Sequence, residues 1–128
     1  MNYLLDTHAF LWWIGGDARF SAPARRILED PKHTIFFSVA SIWEIVLKFK
    51  LGKLRLPEPL NDYLLRQIQN NRIELLTIHA NHVFGMLPLP MHHRDPFDRL
   101  LIAQAQTEDM VLVSNDPQLT SYAVRVLW

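Results

Sequence analysis

Two aspartates follow apolar segments at positions where they could share one site. Asp6 comes directly after the apolar run at residues 3–5, and Asp116 follows the run at residues 110–113 with Ser114 and Asn115 between. Both runs are continuous, as in strands that are covered on both faces of a parallel sheet. The ligand crevice of such a sheet lies beyond the carboxyl ends of its strands, where the strand order reverses. Neighbouring strands lie about 4.8 Å apart, so adjacent first and fourth strands would bring Asp6 and Asp116 together.

Two further acids lie on predicted helices that lead to the same edge. Glu44 is expected in the first turn of the helix after the second strand, which Ser38 ends, and Asp98 in the first turn of the helix before the fourth. Asp98 heads an apolar stripe and should point inward, whereas Arg99, about 100° further around the helix, should stay in solvent. Four carboxylates at one edge raise one another's pKa values, and a hard divalent cation relieves that repulsion. Oxygen ligands without cysteine favour Mg²⁺ or Mn²⁺.

Three of these acids also fit a purely structural role. The segment Ser41-Ile42-Trp43-Glu44 has the spacing of a capping box, while Asp95-Pro96 and Asp116-Pro117 each read as an N-cap followed by proline. Taken singly, each acid could simply close the start of a helix. Asp6 has a weaker structural explanation because it directly follows a buried strand. The convergence of all four on one sheet edge favours a site.

Other polar and aromatic residues remain open to two interpretations. His92 and His93 could ligate a metal, but adjacent histidines in a loop point apart, which favours a solvated loop. The apolar segment at residues 10–14 favours core packing or a subunit interface over base stacking. A basic group either forms a solvated helix end, with Lys48 pairing to Glu44 at i+4, or lines an RNA path. Its members are Lys48, Lys50, Lys53 and Arg55.

The elements that must position these side chains are short strands alternating with helices. Strands are predicted at residues 3–5, 34–37, 74–78, 110–113 and 123–126. Helices are predicted over residues 42–49, 60–68 and 97–106, the first two from apolar residues that recur three or four positions apart and the third from its Asp95-Pro96 start. This alternation predicts an α/β sandwich with a central parallel sheet and right-handed crossovers.

Length and composition limit the classes of function. A chain of 128 residues is expected to form a single domain, residues 1–128. Lys+Arg and Asp+Glu both number 13, so no bulk positive field attracts nucleic acid, and a polyanion must meet local basic groups or a bound cation. The absence of cysteine excludes disulfides and thiolate catalysis. Without a basic leader or an apolar run near the roughly 20 residues that span a bilayer, we expect a cytoplasmic protein.

Several of these motifs together resemble the PIN-domain family, and most of all its VapC type, the ribonuclease toxins of toxin–antitoxin pairs. The resemblance extends in the right order along essentially the whole chain. It rests on Leu4-Leu5-Asp6-Thr7-His8, Ser41-Ile42-Trp43-Glu44 with Lys48, Gly52-Lys53-Leu54, His93-Arg94-Asp95-Pro96-Phe97-Asp98-Arg99 and Ser114-Asn115-Asp116.

The resemblance implies a three-layer α/β/α sandwich with strand order 3-2-1-4-5 and an acidic site for Mg²⁺ or Mn²⁺. It further implies RNA hydrolysis, a homodimer and a cognate antitoxin that holds the protein inactive. Asp6, Asp98 and Asp116 would hold the cation, while Glu44 would bind a second ion or orient the water. Secondary site residues would be Asp95, Ser114 and Thr7, and residues that contact RNA would be Lys48, Lys53, Arg94 and Arg99.

Three other functions compete with that of a PIN-domain ribonuclease. A phosphatase of the haloacid dehalogenase type needs a second aspartate where this chain has His8. A response-regulator receiver domain needs a lysine after a late strand, and no lysine follows Lys53. The strongest rival is a catalytically inactive PIN-like domain that binds a protein or RNA. A metal-dependent cleavage assay separates that rival from a nuclease.

Overall fold

The structure is a computed structural model that describes residues 1–128, and its strands and helices are numbered here in chain order. The strands are β1 (Asn2–Leu5), β2 (Thr34–Ser38), β3 (Ile73–Leu76), β4 (Val111–Val113) and β5 (Val126–Leu127). The helices are α1 (Thr7–Ile14), α2 (Ala22–Glu29), α3 (Val39–Lys50), α4 (Leu60–Asn70), α5 (Ala80–Phe84) and α6 (Pro96–Glu108), with a 3-10 helix at Pro117–Ser121.

All five strands run parallel in the order β3-β2-β1-β4-β5, which confirms the predicted sheet. The order reverses between β1 and β4, where Leu5 pairs with Val113. Chain segments leaving these two strands therefore emerge side by side at the carboxyl edge. This is the position expected of a ligand crevice in an open parallel sheet.

Helices cover both faces of the sheet, as the continuous apolar strands predict. On one face, Leu5 and Phe37 belong to a core with residues of α1 to α4. On the other face, Leu4 and Leu112 pack with the buried side of α6. Successive side chains of β1 thus enter different cores, and the three-layer α/β/α architecture is confirmed. None of the helices combines the length and apolar character that crossing a bilayer requires.

Several predicted boundaries differ from the structure. The helix after β2 begins at Val39, because the Ser38 hydroxyl caps it by accepting a hydrogen bond from the Ala40 N–H at 3.0 Å. The capping box predicted at Ser41-Ile42-Trp43-Glu44 is therefore wrong, and Glu44 lies in the second turn. The last strand is Val126–Leu127, further along the chain than predicted. Helices α1, α2 and α5 were not predicted, since their segments of 8, 8 and 5 residues are shorter than the window over which a helical period is read.

The apolar segment at residues 10–14 packs inside its own fold. Phe10 is fully buried and stacks on Phe37 with ring centroids 3.9 Å apart. Trp13 packs against Phe20, and Trp12 packs against Trp128. Core packing is therefore supported for this segment, while Trp12, Trp13 and Ile14 stay only partly buried and a subunit interface there stays a prediction.

Candidate active site

The four acids predicted from the sequence line one cleft at the carboxyl edge of the sheet. They are Asp6, Glu44, Asp98 and Asp116. The cleft has a volume of about 340 Å³, and no hydrophobic residue lines it. Two of the acids follow β1 and β4, and the other two lie in the second turn of α3 and the first turn of α6. A strongly polar cleft to which four separate elements contribute side chains is typical of a site for an ion or an anionic substrate.

Asp6 is buried at the centre of this edge. Its backbone N–H donates to the carbonyl of Val113 at 3.0 Å, which continues the sheet by one bond. Its carboxylate also caps α1 by accepting from the Ala9 N–H at 2.7 Å, so Asp6 has a structural role that was not expected. Burial raises the pKa of Asp6, and hydrogen bonds from the Ser114 hydroxyl and the Ala9 N–H oppose that rise.

Glu44 is buried and fixed through both carboxylate oxygens. Oε1 accepts a hydrogen bond from the Thr7 hydroxyl at 2.6 Å, and Oε2 accepts one from Lys48 Nζ at 2.7 Å. The i+4 pairing of Lys48 with Glu44 is confirmed. Thr7 was predicted as a secondary site residue, and here it links the first turn of α1 to α3. The two contacts hold the carboxylate in one orientation at the wall of the cleft.

Asp95 and Asp98 have different roles in the first turn of α6. Asp95 is the N-cap, as predicted, and its Oδ1 accepts from the N–H groups of Phe97 and Asp98. Asp98 points into the cleft, also as predicted. Burial and then the negative charge of Asp95 raise the pKa of Asp98 to about 7, while His93 opposes the rise. Asp6 and Glu44 add smaller repulsions, which shows that the acids interact electrostatically.

Asp116 and His93 complete the opposite wall. Asp116 caps the 3-10 helix through Oδ1, and its Oδ2 lies 3.2 Å from His93 Nε2. The same Nε2 lies 3.0 Å from Asp98 Oδ2. The sequence favoured a solvated loop for both His92 and His93, and this is wrong for His93. The signal that could have found it is its place two residues before the Asp95 cap, in the turn that begins α6.

The basic residues expected to contact RNA divide into two groups. Lys48, Lys53 and Arg94 lie at or beside the mouth of the cleft. The prediction that Arg99 stays in solvent is wrong, because its guanidinium is buried and donates to the carbonyl of Pro90 at 2.8 Å. Ser114 is buried beside Asp6, and its hydroxyl accepts from the Asp116 N–H at 3.1 Å.

The donor set fits a hard divalent cation. Four carboxylates from separate elements face one polar cleft, and burial, with smaller repulsions between acids, raises the pKa values of Asp6 and Asp98. Oxygen-rich sites of this kind suit Mg²⁺ or Mn²⁺. His93, Asp98 and Asp116 also place one nitrogen or oxygen atom each within 4.8 Å of one another.

The sequence of the chain matches the model of the PIN domain over residues 3–125. The chain belongs to the PIN-domain family. This membership confirms the resemblance drawn from the acidic motifs and agrees with the strand order of the sheet.

Individual proteins are similar to this chain in sequence or in fold. A segment of 39 residues is 46% identical to ribonuclease VapC16 of Mycobacterium tuberculosis, and it covers 30% of this chain and 28% of that relative. The structure of VapBC2 from Rickettsia felis, bound to a DNA fragment from their promoter, is similar with a TM-score of 0.75, 19% identity and coverage of 99% and 98% of the two chains. DNA-bound VapBC from Salmonella typhimurium gives a TM-score of 0.71 at 13% identity, with 99% and 97% coverage. At these identities the two structures support the fold.

Proposed function

We propose that this PIN-domain protein is a metal-dependent endoribonuclease, the toxin of a VapBC-type toxin–antitoxin pair. The observation that carries the proposal is the cleft in which Asp6, Glu44, Asp98 and Asp116 converge. The partial match to ribonuclease VapC16 supports RNA as the substrate. The cofactor proposed is Mg²⁺ or Mn²⁺.

Each acid has a proposed role in phosphodiester hydrolysis. Asp6, Asp98 and Asp116 would hold the cation, which lowers the pKa of its bound water and offsets negative charge on the phosphate when present. Glu44, held by Thr7 and Lys48, would bind a second ion or orient the attacking water. Asp95 would keep the first turn of α6 in place, so that Asp98 keeps its position.

A basic groove next to the acidic cleft supports a path for the RNA strand. The groove has a volume of about 500 Å³ and shares Thr7, His8 and Lys48 with the cleft. Lys53 adds positive charge to its walls, and Arg19 also lines the groove but pairs with Asp17 at 2.7 Å. Because the chain has no net charge, this local concentration is where phosphate groups would be attracted. We propose that Lys48 and Lys53, with Arg94 on the other side of the mouth, contact the RNA backbone.

Lys53→Gln is expected to weaken RNA binding severalfold and to reduce the dependence of log K on log salt by about one unit, because one phosphate contact is lost. The turnover rate at saturating RNA should stay close to that of the wild type. Binding is measured by fluorescence anisotropy of a labelled single-stranded RNA across a series of salt concentrations.

Lys50→Gln is the matched control for this prediction. Lys50 is also an exposed lysine near the end of α3, but it lines a separate apolar groove between α3 and α4. Its replacement should leave both affinity and salt dependence unchanged. Equal effects of the two substitutions would show that bulk charge, rather than the basic groove, attracts RNA.

The proposed activity is tested by incubating the purified protein with a mixed pool of cellular RNA. Cleavage should occur with Mg²⁺ or Mn²⁺ and stop when EDTA is added. Sequencing the new 5′ ends then identifies the cleavage sites. An intact RNA pool at saturating Mn²⁺, with a folded protein confirmed by circular dichroism, would contradict the nuclease and favour an inactive binding domain.

We further propose a cognate antitoxin and a homodimer, both in the cytoplasm. The complexes of VapBC with DNA support the antitoxin as a partner. Exposed apolar residues support protein contacts. They are Trp43 and Leu47 on α3, Leu51 after it, Leu65 on α4, and Phe84, Leu87 and Met91 at and after the end of α5. Light scattering of the protein alone tests the dimer, and co-purification with the product of the neighbouring gene tests the antitoxin.

A further inference from the structure

His93 makes hydrogen bonds through both nitrogens of its ring. Nδ1 accepts from the backbone N–H of Asp95 at 3.1 Å. Nε2 faces two carboxylate oxygens, Asp98 Oδ2 at 3.0 Å and Asp116 Oδ2 at 3.2 Å. The ring is mostly buried, with a side-chain exposure of 14%. It is therefore fixed between a backbone donor and two acceptors.

The partner of Nδ1 determines where the ring proton lies. A nitrogen that accepts a hydrogen bond from a backbone N–H carries no proton, so the proton of the neutral ring is on Nε2. This N–H donates a hydrogen bond to Asp116 Oδ2, and Asp98 Oδ2 lies 3.0 Å from the same nitrogen. Since a ring nitrogen that carries a proton has no lone pair for a metal, Nε2 cannot be a ligand while the bond from Asp95 persists.

We infer that His93 is a positioning residue, whose Nε2 donates to Asp116 and lies against Asp98, and which does not itself ligate the cation. This inference rests on the proposed function, because it assigns the support of the proposed cation site. The two aspartates come from α6 and from the loop after β4, and no backbone bond fixes their carboxylates to each other. An N–H that lies between the two carboxylates reduces their repulsion, and its bond to Asp116 holds that side chain beside Asp98.

Hydrogen bonds to Tyr122 and Arg99 hold the loop that carries His93. The N–H of His93 donates to the Tyr122 hydroxyl at 2.8 Å. Arg99, one residue after Asp98, donates to the Pro90 carbonyl and lies 3.3 Å from the same Tyr122 hydroxyl. The buried Arg99 thus ties the loop to α6. A ring held by such a rigid support is suited to keep two carboxylates in a fixed arrangement.

Two substitutions separate the functions of the two ring nitrogens. The amide of His93→Gln can place an N–H near the position of Nε2, so it should retain most of the Mn²⁺ affinity. The shorter His93→Asn can accept from Asp95 but does not reach the carboxylates, so it should bind Mn²⁺ about ten- to a hundredfold more weakly. Mn²⁺ affinity is measured by titration calorimetry without RNA, and circular dichroism checks the fold.

The tautomer is read directly by NMR of the full chain labelled with ¹⁵N-histidine. The chain has six histidines, and the set of ring-nitrogen resonances that is lost in His93→Gln is assigned to His93. At pH 8 without metal, the spectrum should show that Nε2 of His93 is protonated and that its Nδ1 is unprotonated. Saturating Mg²⁺ should leave this pattern in place.

Each outcome decides a definite point. A protonated Nδ1, with or without Mg²⁺, would overturn the inference, and so would His93→Asn binding Mn²⁺ as tightly as the wild type. Equal losses in His93→Gln and His93→Asn would also overturn it. Failure of the wild type to bind either ion would contradict the proposed metal-dependent function instead, and the metal-free spectrum would still decide the role of His93.

Discussion

Asp98→Asn is expected to reduce metal-dependent RNA cleavage by about a hundred- to a thousandfold, the size of effect that several kcal/mol of lost charge stabilisation produces. The reason is that Asp98 points into the cleft with Asp6 and Glu44 and is a proposed ligand of the cation. The fold should survive, because asparagine has nearly the same volume and removes a carboxylate whose pKa is raised to about 7. The measurement is the initial rate of cleavage of a defined RNA at saturating Mn²⁺.

Asp95→Asn is the matched control in the same turn of α6. Its carboxylate accepts from two backbone N–H groups, and asparagine caps a helix about as well as aspartate. Much of the activity should therefore remain. Activity that is lost in Asp95→Asn and retained in Asp98→Asn would show that the ligand roles of the two residues have been assigned the wrong way round.

The second large expected effect is a dependence of the folding stability on pH and on bound metal. The pKa values of Asp6 and Asp98 are raised in the folded state, above their ordinary value of 3.8, so the folded protein binds more protons than the unfolded chain. Their contribution to stability is complete below that value and is lost as pH rises through the folded pKa, which is about 7 for Asp98. Without metal, the contribution of these two groups to the free energy of unfolding should fall as pH rises above about 4, and the contribution of Asp98 should be lost as pH rises through about 7.

A bound cation should reverse this loss at alkaline pH. At a free Mg²⁺ or Mn²⁺ concentration of 100 times Kd, linkage adds about 2.7 kcal/mol to the free energy of unfolding. The resulting rise in melting temperature should be larger at pH 8 than at pH 6, because protons compete with the cation for the carboxylates. Thermal unfolding followed by circular dichroism at the two pH values measures it.

Asp6→Asn should remove most of that rise in melting temperature. Without metal at pH 8, the variant should be as stable as the wild type or more stable, because no charge is buried and the amide oxygen still caps α1. Asp109→Asn serves as a control, since Asp109 lies far from the cleft beside Arg125. A metal-dependent rise that persists in Asp6→Asn would contradict a cation site centred on this residue.

The sequence by itself determined the fold class and singled out the four acids as candidates for one site. Continuous apolar runs mark buried parallel strands, and the residue after such a run must lie at the carboxyl edge of the sheet. This local relationship places Asp6 and Asp116 without knowledge of the contacts. The Asp95 cap and the inward direction of Asp98 also depend only on a few neighbouring residues, and the structure agrees with both.

The tertiary structure alone decided which side chains support these acids. Thr7 bonds to Glu44 across 37 positions of the chain, and His93 meets Asp116 across 23 positions. Arg99 turned inward because a loop offers it backbone carbonyls, although helical geometry alone left it in solvent. Sequence periodicity predicts only the face of its own helix or strand on which a residue lies. Hydrogen bonds between elements depend on how those elements pack, and so the roles of His93 and Arg99 became visible only in the folded chain.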